Sequence, residues 1–239
     1  MTRKRRASGF SLVELAIAIF VIALLLGSIL VPLTLQVEQR QIAETQKSME
    51  EIRESLLGFA ATHGYLPCPA VSATNGREDR TGGVCSAGKR QGFVPWETLG
   101  VSRLDAWGHL HRYSVTLAYA SSATPFTTDT PPDITIRTRN SVGALINLTN
   151  ANIVPVVVLS QGKNGYGSVD PLGTAPALPA GWPAGNTDEN TNAAGTATFV
   201  SRAAQAAGAS GTGGEFDDHL IWLSRYVLQS RMVAAGKLP

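Results

Sequence analysis

One carboxylate, Glu14, stands at the mouth of a long apolar run, in the stretch Gly9-Phe10-Ser11-Leu12-Val13-Glu14. Leu15 to Leu35 follow it, apolar except for Gly27, Ser28, Pro32 and Thr34. An ionised side chain inside such a run marks a functional position, because it needs a counter-charge and costs several kcal/mol without one. Three further groups of residues have types and spacings that bear on chemistry. Cys68 and Cys85 could form a disulfide or, with His109 and His111, hold zinc. The spacing matches no C-x-x-C finger or ribbon. Gln161-Gly-Lys-Asn-Gly-Tyr-Gly167 is glycine-rich around a lysine, but Asp170-Pro171 follows where a phosphate loop requires a helix, so it reads as a turn leaving a strand. Thr187-Asp-Glu-Asn-Thr-Asn192, with Asp217 and Asp218, clusters oxygen donors without the EF-hand spacing.

The elements that position these residues begin with the apolar run. It meets the ~20 residues a helix needs to cross roughly 30 Å of hydrocarbon. Arg3, Lys4, Arg5 and Arg6 precede it and hold the N-terminus on the cytoplasmic side. A secretory signal peptide would carry a small-residue cleavage site after the run, and Val31 to Gln39 offers none; Ala16-Ile17-Ala18 lies inside it. An uncleaved signal anchor is the plainer alternative, but it explains neither Gly9 before Phe10 nor the place of Glu14.

Basic leader, Gly9, Phe10 and a glutamate at the fifth position of the apolar helix together resemble the leader of the type IV pilins and pseudopilins. The resemblance implies cleavage after Gly9 by a prepilin peptidase on the cytoplasmic face and methylation of the new amino group of Phe10. It implies that Glu14 is an assembly determinant, pairing with the Phe10 amine of a neighbouring subunit. Further implied partners are other pilin or pseudopilin subunits, an inner-membrane assembly platform, membrane lipid and, for some members, a secreted substrate. Some major pseudopilins bind calcium in a late region, which makes calcium the ligand to weigh at Thr187–Asn192 with Asp217 and Asp218, solvated loop residues being the default.

The implied fold class is α+β: a long N-terminal transmembrane helix packed on a mainly antiparallel sheet. We expect residues 1–9 as leader, 10–35 as the membrane half of the helix, 36–63 as its amphipathic half, and 64–239 as an exported globular domain. Ile42, Met49, Ile52, Leu56 and Phe59 recur at helical spacing and mark the face toward that domain. From Phe10 to His63 a helix spans roughly 80 Å, more than twice the bilayer core. Pro32 with Gly27 and Ser28 predicts a soft point. In an oxidising compartment Cys68 and Cys85 are expected to bridge, with zinc and free thiols as alternatives. Asp105 and Gly108 suit a tight turn, and Trp96 and Trp107 are expected to pack the sheet on the helix. Strands are expected over Arg112–Tyr119, Asp133–Arg139, Ile153–Leu159 and Leu220–Leu223, with a terminal helix capped by Ser224. A long, poorly packed excursion is expected over about 171–214.

Composition excludes some functions. The formal charge is +2, and the leader supplies four positive charges and no negative ones, so the processed chain falls to −2 and has no large basic footprint for nucleic acid. The residues show no nucleophile–base pair or metal triad. The expected function is therefore structural: a minor pilin or pseudopilin of a type IV pilus or type II secretion pseudopilus, anchored once in the bacterial inner membrane with its domain periplasmic. A tip subunit for adhesion or DNA uptake is the alternative, and a membrane-anchored periplasmic enzyme a third class.

Overall fold

The computed structural model describes residues 11–178, 182, 185–195, 197–206 and 211–238, with backbone alone for 25–33. The helix-forming sequence becomes one element, α1 (Leu12–His63). It stops where Gly64 takes a φ of +88°, a left-handed conformation that glycine reaches without a Cβ clash. The chain divides into two compact units, Met1–Ile42 and Ala43–Pro239. In the first, the large apolar side chains of α1 between Leu12 and Leu24 stand exposed. Among the described residues no helix is long and apolar enough to cross a membrane. Phe10 and the side chains of 25–33, which complete the expected 10–35 span and include Gly27, Ser28 and Pro32, lie outside the described residues.

The second unit is organised by the last turns of α1. Met49, Ile52, Leu56, Leu57 and Ala60 are buried there and form one wall of the main core. Each large apolar side chain so buried contributes roughly 1.5–3 kcal/mol relative to exposure. After α1 come a short ribbon, β1 (Arg80–Thr81) and β2 (Val84–Cys85), then β3 (Gln91–Phe93) and a single turn, α2 (Trp96–Leu99). The expected strand at 112–119 is shorter, β4 (Arg112–Val115), because the chain turns into a 3-10 segment at Leu117–Ala120 that buries Tyr119. Next follow β5 (Thr135–Arg139), β6 (Leu145–Asn147), β7 (Val156–Ser160), α3 (Thr187–Ala193), β8 (Thr198–Val200), β9 (His219–Leu223) and α4 (Arg225–Ala234).

The main sheet runs β3-β4-β7-β9, antiparallel throughout. Its central β7 is buried along its whole length, as its unbroken Val-Val-Val-Leu run requires. The alternation of β4 sends Tyr113 and Val115 toward α1, and the Tyr113 hydroxyl donates to the Pro67 carbonyl at 2.8 Å. Behind this sheet lies a second one, β6-β5-β8, in which β5 and β8 pair in parallel. Ile134, Ile136, Val154, Val157 and Phe199 close a smaller core around it. The C-terminal helix starts as expected: Ser224 Oγ accepts the Tyr226 amide, and Leu228 and Met232 reach the main core.

Two expectations are corrected here. Within 171–214, the parts at Thr187–Ala193 and Thr198–Val200 are not loose: they form α3 and β8, and Phe199 and Val200 are buried. Phe199 seals the second core, and polar contacts described below fasten α3. Nor do the two tryptophans pack the sheet on α1. Trp96 closes a satellite cluster with Ala70 and Leu110, and Trp107 stacks flat on His219 with ring centres 5.8 Å apart.

Candidate functional site

Among the described residues, the N-terminal candidate site begins at Ser11; Gly9 and Phe10 lie outside them. Ser11 precedes α1, its Oγ accepting the amide of Glu14 at 3.2 Å, while Glu14 Oε2 accepts the amide of Ser11 at 3.0 Å. This reciprocal pair is a capping box, which satisfies two of the orphan donors at a helix start. The S-x-x-E spacing of Ser11 and Glu14 could have revealed it from sequence. Glu14 is exposed, at the first turn of a rod whose neighbouring side chains are apolar and exposed. The carboxylate is thus fixed in place by its own helix and open to a partner.

Cys68 and Cys85 are joined, with Cα atoms 5.3 Å apart and a sequence separation of 17. Both are buried in the main core. Beside them, Glu78 Oε2 accepts the Cys68 amide at 3.0 Å and pairs with Arg80, whose guanidinium also donates to the Ala120, Gly83 and Leu66 carbonyls. The bridge therefore ties the turn after α1 to the β1–β2 ribbon. It also removes the thiols from any zinc site, and the histidines are engaged elsewhere.

His109 Nδ1 lies 3.2 Å from the Gly162 carbonyl, and His111 is buried with Nε2 3.1 Å from Ser48 Oγ on α1. Burial pushes His111 down to about 4, against the opposing field of Asp105. Asp105 is the turn residue the sequence led us to expect: Oδ1 accepts the amides of Trp107 and His109 at 3.0 and 2.9 Å, and Oδ2 accepts the Ser160 hydroxyl at 2.6 Å. Gly108 completes the turn at φ +86°. His111 is a buried tether between the start of β4 and α1.

The oxygen donors of the late region separate into two groups. Asp188 leaves the candidate calcium set, because Arg139 and Arg202 both clamp it, at 2.6 and 2.7 Å. Glu189, Asp217 and Asp218 converge instead, each offering an oxygen within 4.8 Å of the others'. Glu189 and Asp218 are buried, and Asp217 Oδ1 and Asp218 Oδ1 have no hydrogen-bond partner. Asn164, from the glycine-rich turn after β7, donates to both oxygens of Glu189 at 3.0 and 3.2 Å. Sequence reasoning passed over Asn164 and Asn186, since neither position carries a charge. Four of the six carboxylate oxygens accept N–H groups, and the other two, Asp217 Oδ1 and Asp218 Oδ1, accept none.

Residues 4–30 match a known family, described as the prokaryotic N-terminal methylation motif. That motif supports the resemblance to the type IV pilins and pseudopilins and marks the chain as a pilin-like precursor. It implies processing by a prepilin peptidase and assembly with other pilins, and it points to a structural subunit rather than an enzyme. No curated protein and no solved structure matches the chain.

Proposed function

We infer that this chain is a minor structural subunit of a type IV pilus or a type II secretion pseudopilus, cut after Gly9 and methylated on Phe10. The observation that carries the reading is the methylation motif over residues 4–30, continued directly by a helix that runs to His63. In this reading the apolar run anchors the precursor once in the inner membrane, with the basic leader cytoplasmic and the domain outside. The Phe10 amine of an incoming subunit neutralises Glu14 of one already in the filament. Each charge alone in hydrocarbon would cost several kcal/mol, so pairing favours docking at the filament base. The exposed, helix-clasped carboxylate of Glu14 supports this role, because its position is set before any partner arrives.

Mass spectrometry of the protein recovered from sheared filaments tests the reading. The expected N-terminus is methylated Phe10, and replacing Gly9 by valine should leave the precursor whole. An intact Met1 terminus in cells that carry a prepilin peptidase would sink the assignment.

A further inference from the structure

Three asparagine amides meet the buried carboxylates between α3 and β9 nitrogen-first, and the backbone fixes each in that sense. Asn164 Oδ1 accepts the Tyr166 amide at 3.0 Å, Asn186 Oδ1 the Glu215 amide at 2.9 Å, and Asn192 Oδ1 the Val200 amide at 2.7 Å. Turning any of them over would set N–H against N–H. Their NH2 groups are therefore committed to the acids: Asn164 and Asn186 to Glu189, and Asn192 to Asp218 Oδ2 at 2.7 Å. Backbone amides add to this, Asp217 N to Glu189 Oε1 at 3.0 Å and Asn164 N to Asp217 Oδ2 at 2.8 Å. A cation at the centre would face these hydrogens.

Two oxygens are left over, Asp217 Oδ1 and Asp218 Oδ1, both buried and without a donor. Asp218 is only 6% exposed, so water does not readily supply one. The charged groups around them are unbalanced. From the segment entering β9 come Glu215, Asp217, Asp218 and His219; from α3, Asp188 and Glu189; from the turn after β7, Lys163 and Tyr166. Arg202, after β8, and Arg139, on β5, both face Asp188. A carboxyl hydrogen is the smallest group that supplies the missing donor and removes the excess charge together.

We propose that Glu189, Asp217 and Asp218 form a proton-held latch, which fastens α3 and the parallel strand β8 to the entry of β9 and loosens when its protons leave. The direction of titration agrees with the geometry. Burial pushes Glu189 up to about 7 and Asp217 up to about 6, and raises Asp218 well above the usual carboxylate range. In the unfolded or opened chain these groups bind fewer protons than in the closed one, so stability falls as pH rises. The contribution is complete below the ordinary carboxylate range, near pH 4, and is lost as pH rises through about 6 to 7. The released layer would expose the edge of β5 to which β8 is paired.

Hydrogen exchange of the full chain in detergent, with a chelator present and rates corrected for intrinsic exchange, tests the latch. Peptides covering α3 and β8 should open at least about tenfold more at pH 8 than at pH 5, because an acid whose pKa is higher by about one in the closed form than in the open form changes their balance tenfold. Asp217→Asn and Asp218→Asn each place an N–H2 at an orphan oxygen position, and each should shrink that difference. Added calcium should leave the profile unmoved. A pH-independent profile in the unaltered chain overturns the latch. So does a gain of protection on adding calcium at pH 8, which would assign the three acids to a cation.

Discussion

Ser11 and Glu14 hold each other across the first turn of α1, the amide of each bound to the side chain of the other, at 3.0 and 3.2 Å. One carboxylate is thereby both a helix cap and the candidate assembly charge, and the two roles answer to different substitutions. Gln can complete a capping box as Glu does, but carries no charge. Glu14→Gln should therefore insert, be processed and keep the helix start, yet fail to enter filaments. Ser11→Ala should lose the cap, at a cost of about 1 kcal/mol, and still assemble. Immunoblots of sheared and membrane fractions check both; filaments rich in the Gln variant would show that Glu14 serves the helix alone.

The bridge between Cys68 and Cys85 gives a second prediction. Closing a loop of this length contributes about 3 kcal/mol in the chain-entropy model. Cys68→Ser should leave the protein membrane-bound but more protease-sensitive, and lower its steady-state level. In the unaltered protein both thiols should resist alkylation until reductant is added. Free reaction of either without reductant would remove the bridge from the account.

What the sequence made legible divides along physical lines. Periodic and punctuating signals were readable: Met49, Ile52 and Leu56 on one helical face, Gly64 as the stop, the Val-rich run of β7, Ser224 as a cap. Those depend on a few neighbouring residues. The formation of α3 within 171–214 was not readable, because it is held by contacts distant in sequence, such as Asn164 to Glu189 and Asn192 to Asp218. No local pattern announces an amide aimed at a carboxylate. The burial of His111 was not readable either: its partner Ser48 lies in α1, which sequence spacing does not connect to it. Glu14 was recognised as a charge but not as a cap, although the signal stood within four residues.

Gly76 tests the satellite core. A Cβ built there would lie 2.2 Å from Trp96 Cε2, so the indole or the turn must shift. Overpacking of this kind costs about 1–3 kcal/mol. Gly76→Ala should lower the melting temperature of the full chain in detergent and move its tryptophan emission. Trp96→Phe, which shortens the ring, should recover part of the loss when combined with it. If Gly76→Ala melts as the unaltered chain does, the ring is not held against the turn.

The buried tether at His111 predicts a pH dependence opposite in sign to that of the carboxylate latch. Its ring is pushed down to about 4 by burial, below the ordinary histidine value of 6.5. Between those two values the unfolded chain binds more protons than the folded one, so the tether's contribution to stability is present above about 6.5 and is lost as pH falls toward 4. His111→Gln has nothing to titrate there. The melting temperature of the full chain should exceed that of His111→Gln at pH 7, and the gap should close between pH 6 and 4. Ser48→Ala, which removes the hydroxyl 3.1 Å from Nε2 but leaves the burial, should lower stability while keeping the acid slope. The latch acts in the other direction, so hydrogen exchange should separate the two by place: acid loosens the contact of α1 with β4, and alkali loosens α3 and β8. A gap between the unaltered chain and His111→Gln that stays constant from pH 7 to 4 would mean that His111 contributes only packing.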